Sequence, residues 1–384
     1  MKWLCLCLLL ATVEISDGES GLGRIWQKVD REQRLTIGYL GGSITAGAGA
    51  SQAAKTSWRA EVTNWFCQRY PRALIKEINA GLGGTGSNLG AYRCQHDLLA
   101  GKPDLVFVEF AVNDANTPKG VVQESMEGIV RQVRQSNPQT AILFIYSANK
   151  YMDATYHEDG TPQAVLSKEE VARHYGLSSI NVGKGLWDAI QAGDGTWETL
   201  TKDGTHPNDA GYAIYTKQIV SFLESSLEEE VKPPAPMPPP MTPNPVVNAS
   251  LADAWDANAP GWERENKSMS GRWPHLLSCQ VSNQELCYDF EGTGIGLYWL
   301  VSPDSGDIVY TIDDSPWQKA PCWDKYALNS TRVSFRILTN RLPAGVHHLR
   351  LKVAEAKPTQ STGTWIRIGA FLVHHTSSSK ATQL

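Results

Sequence analysis

Hydrophobic and polar positions change their rhythm twice along this chain. From Leu35 to Leu227, short and almost wholly apolar runs alternate with longer stretches whose apolar residues recur at helical spacing. Leu35–Leu40, Leu74–Ile78, Asp104–Phe110 and Ala141–Tyr146 read as strands, and runs without a polar face belong to strands covered on both sides. Ser57–Tyr70 sets Trp58, Val62, Trp65 and Phe66 on one helical face. Asn88–Leu99 and Val121–Gln135 read as further helices, and Pro207–Leu227 as a closing one with Pro207 in its first turn. The stretch between Tyr146 and Pro207 reads as a polar loop. Alternating strands and helices predict a parallel sheet between two helical layers, an α/β domain.

The pattern stops at residues 228–248, EEEVKPPAPMPPPMTPNPVVN. Proline at this density forms neither helix nor inner strand, so the segment reads as a stiff, extended spacer. Beyond it the period falls to two. Cys287–Phe290, Ile295–Val301, Ile308–Ile312, Val333–Leu338, Val346–Val353 and Trp365–Val373 are short strand-like runs separated by turn signals such as SPDSG, DDSP and LPAG. They predict an all-β sandwich, jelly-roll-like. The expected division is a catalytic α/β domain over 19–228, a linker over 229–247 and a β-sandwich over 248–377.

Residues 1–18 change the cellular setting. Met1-Lys2-Trp3 precedes the apolar run Leu4–Val13, which is the make-up of a secretory signal too short to span a bilayer comfortably. The expected location is outside the cytoplasm, extracellular or periplasmic. A net charge of -5 is too small to argue for nucleic acid or an anionic membrane as partner, and no later segment is apolar for long enough to cross one. Export permits disulfides. Cys67 could pair with Cys94, and two of Cys279, Cys287 and Cys322 with each other, or all five could be free. With 13 Trp against 8 Phe the aromatic content is unusual in kind. Trp255, Trp262, Trp273, Trp299, Trp317, Trp323 and Trp365 are candidates for sugar stacking or for core packing. Trp317 and Trp323 flank a loop-like segment and are the best placed to bind a glycan.

Two strings carry the candidate chemistry. GGSIT at 41–45 offers Ser43 straight after a strand, at the edge where open α/β sheets bind ligands. It lacks the G-x-S-x-G spacing of a nucleophile elbow, so alone it is a glycine turn. DGTHPND at 203–209 offers Asp203 and His206. A serine hydroxyl attacks only when a base takes its proton, and a third group usually orients that base. Between the strings, INAGLGGTGS at 78–87 and FAVNDAN at 110–116 each follow a strand. Their Gly84 and Asn113 are candidate donors to a developing oxyanion.

These blocks resemble the SGNH, or GDSL-like, hydrolase family over residues 34–228. GGSIT matches the nucleophile block, with Gly where Asp is usual. Asn79–Thr85 is similar to the glycine block. Ala111-Val112-Asn113-Asp114 is similar to G-x-N-D without its glycine, and DGTHPNDAGY matches the block of the base. The resemblance implies a flavodoxin-like α/β/α fold, no metal and no cofactor, and acyl-ester hydrolysis with Ser43 as nucleophile, His206 as base and Asp203 as its partner. Ser43, Gly84 and Asn113 would form the oxyanion hole. Export, an added β domain and abundant Trp favour acetylated plant polysaccharide or oligosaccharide as partner and substrate. A lipid or lysophospholipid esterase and an inactive glycan-binding protein are the alternatives.

Overall fold

The computed structural model describes residues 21–269 and 271–376. The expected leader therefore lies outside the described residues. Two compact units divide between Pro245 and Val246.

The first unit is built on five parallel strands. They are β1 (Leu35–Gly41), β2 (Ile75–Gly81), β3 (Leu105–Glu109), β4 (Ala141–Ile145) and β5 (Ser178–Ile180), in the order β2-β1-β3-β4-β5. That is the flavodoxin-like order, whose winding reverses between β1 and β3 and whose ligands bind outside the carboxyl ends of the strands at that point. The strands β1, β3 and β4 are buried at every residue. Helices Ser87–Asp97, Lys119–Ser136 and Gln163–Tyr175 pack together as one layer, and Trp58–Arg69, Val182–Ala192 and Asp209–Ser225 as the other. Against the second layer, Tyr39 of β1 stacks on Phe107 of β3 with ring centres 5.1 Å apart, and Trp58 closes edge-on over Tyr39 at 5.4 Å. Fully burying such rings stabilises by roughly 1.5–3 kcal/mol each, and this cluster fixes β1, which ends two residues before Ser43.

Local chemistry sets the helix starts. The Ser57 side chain accepts the Ala60 N–H ahead of Trp58–Arg69. Asn208 does the same for Gly211, so the last helix begins at Asp209 and Pro207 stands outside its first turn. Residues 147–206 are far more ordered than a polar loop. They hold the helices Gln163–Tyr175 and Val182–Ala192 and the edge strand β5. β5 has three residues, two of them Ser, so no apolar run announces it.

Residues 232–242 run bound to the first unit instead of standing free. Arg24 Nη2 donates to Lys232 O at 3.0 Å, Arg131 Nη1 to Pro238 O at 3.0 Å, and His174 Nε2 to Pro239 O at 2.9 Å. The buried Glu127 carboxylate accepts the N–H of Met241 at 2.6 Å, the N–H of Thr242 at 2.8 Å and the Thr242 hydroxyl, together with the Tyr175 hydroxyl at 2.6 Å.

The second unit is all antiparallel β. Its strands are β6 (Ala249–Asp253), β7 (Glu263–Glu265), β8 (Leu276–Cys279), β9 (Glu285–Gly292), β10 (Gly294–Val301), β11 (Asp307–Ile312), β12 (Gln318–Pro321), β13 (Arg332–Thr339), β14 (Gly345–Val353) and β15 (Ile366–His374). One sheet has the order β13-β10-β15-β8-β7 with β6 also on β15, and the other β12-β11-β14-β9. Leu297, Trp299 and Phe371 from the first meet Ile308, Leu349 and Leu351 from the second in one core, the arrangement of a sandwich. Six of these strands follow the period-two runs of the sequence; β6, β7, β8 and β12 are short or polar and did not stand out.

Candidate functional site

Ser43 opens a single helical turn, Ser43–Ala46, that follows β1 directly. A Cβ on Gly41 would collide with Thr45, and one on Gly42 with the Asn113 side chain, so only glycine lets the backbone pass this close. Ser43 Oγ lies 2.9 Å from His206 Nε2, and His206 Nδ1 lies 2.8 Å from Asp203 Oδ2. The carboxylate selects the tautomer with its proton on Nδ1, which leaves Nε2 to accept from the Ser43 hydroxyl.

Asp203 also builds the loop it stands on. Its Oδ1 accepts the N–H of Thr205 at 3.0 Å and of His206 at 2.9 Å, a local turn that Asp favours. Partial burial raises its pKa, but the His206 ring and the two backbone N–H groups outweigh that and hold the carboxyl below its ordinary value. Gly204 adopts φ +78° between them, and its N–H donates to Thr201 Oγ1 at 2.7 Å.

The segments that carry Ser43 and His206 are bonded to each other. The Tyr212 hydroxyl donates to Ala48 O at 2.6 Å. Asp209 accepts the Ser51 N–H at 2.8 Å, the Ser51 hydroxyl at 2.5 Å and the Thr56 hydroxyl at 2.7 Å. Asp209 and Tyr212 lie inside the DGTHPNDAGY string. Sequence reasoning missed their role because nothing in the string points to partners at 48–56.

The candidate oxyanion residues converge on the same place. Gly84 takes φ +71° in the turn after β2, and a Cβ on its neighbour Gly83 would lie 3.7 Å from Ser43 Cβ. Asn113 follows β3, and its side-chain amide lies against Gly42. Ser43, the Gly84 turn and Asn113 thus gather at the carboxyl ends of β1, β2 and β3, with His206 arriving from the loop before the last helix.

Beneath them lies a polar layer that the sequence did not announce. Buried Asp114 accepts the Ser87 N–H at 2.9 Å and pairs with buried Lys168 at 2.8 Å. Buried Glu109 accepts the Thr45 hydroxyl at 3.0 Å and the Ser147 hydroxyl at 2.5 Å. Burial raises the Glu109 carboxyl above its ordinary value against the pull of those hydroxyls.

In the second unit the candidate tryptophans separate. Trp262, Trp273 and Trp299 are buried, and Trp323 is half-buried against the core with its indole N–H enclosed. Trp317 is 42% exposed, with Lys352 Nζ 4.3 Å and Arg350 Cζ 5.5 Å from its ring centre. Cys67, Cys94, Cys279, Cys287 and Cys322 are all free thiols. Among the described residues no three His, Cys, Asp or Glu side chains are gathered to hold a metal, and no helix is long and apolar enough to cross a membrane.

Residues 39–214 match the GDSL-like lipase/acylhydrolase family. No curated protein sequence matches the chain. Among solved structures, a two-domain esterase active on acetylated mannans, co-crystallized with mannopentaose, superposes with a TM-score of 0.82 at 22% identity, over 96% of this chain and 98% of that one. A second structure of a two-domain esterase active on acetylated mannans gives 0.81 at 23% identity, over 94% and 96%. At these identities the likeness is one of fold.

Proposed function

Through its first unit the chain belongs to the GDSL-like lipase/acylhydrolase family, and from that premise we propose that it removes acetyl groups from a polysaccharide or its oligosaccharides by a Ser43–His206–Asp203 mechanism. His206 Nε2 takes the Ser43 proton as Oγ attacks the ester carbonyl carbon. The carbonyl oxygen gains the displaced electron pair, and the Ser43 and Gly84 N–H groups and the Asn113 amide receive it. The intermediate collapses, the bond between the acyl carbon and the sugar oxygen breaks, and His206 gives its proton to that departing oxygen, which leaves as the sugar hydroxyl. Water then attacks the acetyl-serine with His206 again as base, releasing acetate and restoring Ser43.

Geometry supports the triad reading, above all the 2.9 Å and 2.8 Å contacts that join Ser43, His206 and Asp203 in a line. The observation that carries the choice of ester is the two-unit architecture. A parallel α/β unit followed by a β-sandwich aligns over 96% of this chain with an esterase active on acetylated mannans. Acetylated mannan is therefore the first substrate to try, with acetylated xylan beside it. Trp317 is proposed as a sugar-stacking face on the sandwich, and the leader-like start supports action outside the cytoplasm.

The test is acetate release from acetylated glucomannan and acetylated xylan, set against hydrolysis of p-nitrophenyl esters of increasing chain length. The expected result is release from at least one glycan and a sharp preference for acetyl over long acyl groups. Long-chain hydrolysis without acetate release would replace the carbohydrate reading with a lipid one. Glycan binding without any turnover would replace it with an inactive binding protein.

A further inference from the structure

We propose that Arg93 is a positioning residue that holds the Ser43 turn and the Gly84 turn in register, and so sets the oxyanion hole. The inference rests on the triad reading above, because it concerns the donors that Ser43 needs.

Arg93 stands on helix Ser87–Asp97, on the layer opposite the one that carries the base, and its side chain is fully buried. A buried guanidinium carries a desolvation cost unless its N–H groups are used. Arg93 directs its two Nη groups at two backbone carbonyls from two different strands and leaves its buried Nε without a hydrogen-bond partner among the described residues. Nη2 donates to Gly41 O at 2.8 Å, the last residue of β1 and two before Ser43. Nη1 donates to Ala80 O at 2.5 Å, near the end of β2 and four residues before Gly84. Asp97 fixes the fork from the same helix at 3.0 Å, and the guanidinium lies 6.0 Å from the ring centre of Phe110, the residue that follows β3 and precedes the Asn113 turn.

The planar fork matters here. Two N–H groups in one rigid plane define the separation of the two carbonyls they bind, which an ammonium on a flexible stem does not do. The two proposed backbone donors to the oxyanion follow those carbonyls by a few residues each. A second buried arginine steadies the far side of the nucleophile turn without joining it to the other donor: Arg59 Nε donates to Thr45 O at 3.2 Å and pairs with Glu77. Arg93 is the side chain that bridges both turns.

The experiment is Arg93→Lys in the full chain, with Ser43→Ala as a control, followed on p-nitrophenyl acetate and by labelling of Ser43 with a small phosphonate ester. Lysine keeps the charge and reaches one carbonyl at a time. A shift of one donor by about 1 Å is enough to cost a factor of roughly 10². The expected result is a kcat lower by about 10- to 100-fold with KM within about 3-fold, and phosphonate labelling slowed in parallel. The melting temperature serves as the check on folding. A folded Arg93→Lys chain with wild-type kcat overturns the proposal. If Arg93→Lys fails to fold, Asp97→Asn takes its place, since it loosens the fork without emptying its site; a lowered kcat with KM unchanged supports the proposal, and an unchanged kcat overturns it. Should Ser43→Ala keep its activity, the triad reading fails first, and that outcome is distinct from either of these.

Discussion

Asp203 does two things with one carboxylate. Oδ2 orients the His206 ring and Oδ1 shapes the loop, so its substitutions separate the two roles. Asp203→Asn keeps an oxygen for the loop N–H groups but no longer selects the His206 tautomer. Activity on p-nitrophenyl acetate should fall by at least about 10²-fold, with the fold unchanged. The pH profile carries a sharper expectation. Partial burial works against ionisation of Asp203, but the His206 and Thr205 hydrogen bonds hold its folded pKa below the ordinary value. The carboxylate is therefore already ionised at every pH above about 4. Asp203 should then add no titration step of its own to the kcat/KM profile above about pH 4; a step there that Asp203→Asn removes would contradict this. At Asn113 the argument is simpler. Asn113→Ala removes one proposed oxyanion donor and should lower kcat by about 10²–10³. The same readout on Ser43→Ala should fall to background.

At the scale of elements, the β11–β12 hairpin shows a titration built into a turn. Asp313 and Asp314 both take positive φ, 52° and 57°, at the centre of a turn closed by the Ser315 N–H on Ile312 O at 3.1 Å. Asp313 accepts His347 Nδ1 at 2.5 Å and the His348 N–H at 2.9 Å from β14. Burial alone would lower the His347 pKa, but its bonds to Pro343 O and Asp313 prevail and raise it. Asp313 is held below its ordinary value, against partial burial, by the His348 N–H and the His347 ring. A histidine raised on folding stabilises fully below its unfolded value near 6.5, and that share is lost as pH rises through the folded value. An aspartate lowered on folding stabilises above about 4, and its share is lost as pH falls through the folded value. The melting difference between the wild type and Asp313→Asn should peak between about pH 4 and 6.5 and shrink on both sides. With Asp313 41% exposed, its height is held to less than about 1 kcal/mol. A difference that grows steadily from pH 6.5 to 9 would contradict this. None of it was legible in the sequence beyond DDSP as a turn, because His347 and Asp313 meet only through strand register. Element type was readable where burial is two-sided, as in β1, β3 and β4. It was not readable at β5, whose place in the sheet comes from pairing with β4 and not from its own apolar content.

At the scale of the whole molecule, the sequence divided the chain by composition and the structure divides it by bonds. Proline density marks residues 229–247 as unable to form helix or inner strand, which holds: no helix or strand lies between Ser225 and Ala249. Composition does not tell where such a segment binds. Its partner Glu127 sits more than 100 residues earlier in the helix Lys119–Ser136, as one polar residue among several. The triad strings were legible because their spacing is local; the strap was not, because its acceptor is distant and its donors are backbone N–H groups that any residue supplies. The consequence concerns where a self-sufficient catalytic unit ends. Cutting after Glu228 removes the Met241 and Thr242 donors from Glu127 and the carbonyls that occupy Arg24, Arg131 and His174. Hydrogen bonds to a charged group contribute roughly 1.5–3 kcal/mol each, in part recovered by water once the strap is gone. A net loss of about 2–3 kcal/mol corresponds to a melting point lower by roughly 5–10 °C for a unit of this size. A chain cut after Pro245 keeps every one of these bonds. It should melt with the first unit of the full protein and turn over p-nitrophenyl acetate at a comparable rate, while the chain cut after Glu228 melts lower. Glu127→Ala in the full chain should reproduce part of that loss and speed hydrogen exchange at the Met241 and Thr242 amides. Equal melting of the two shortened chains would show that the strap lies on the surface without stabilising it.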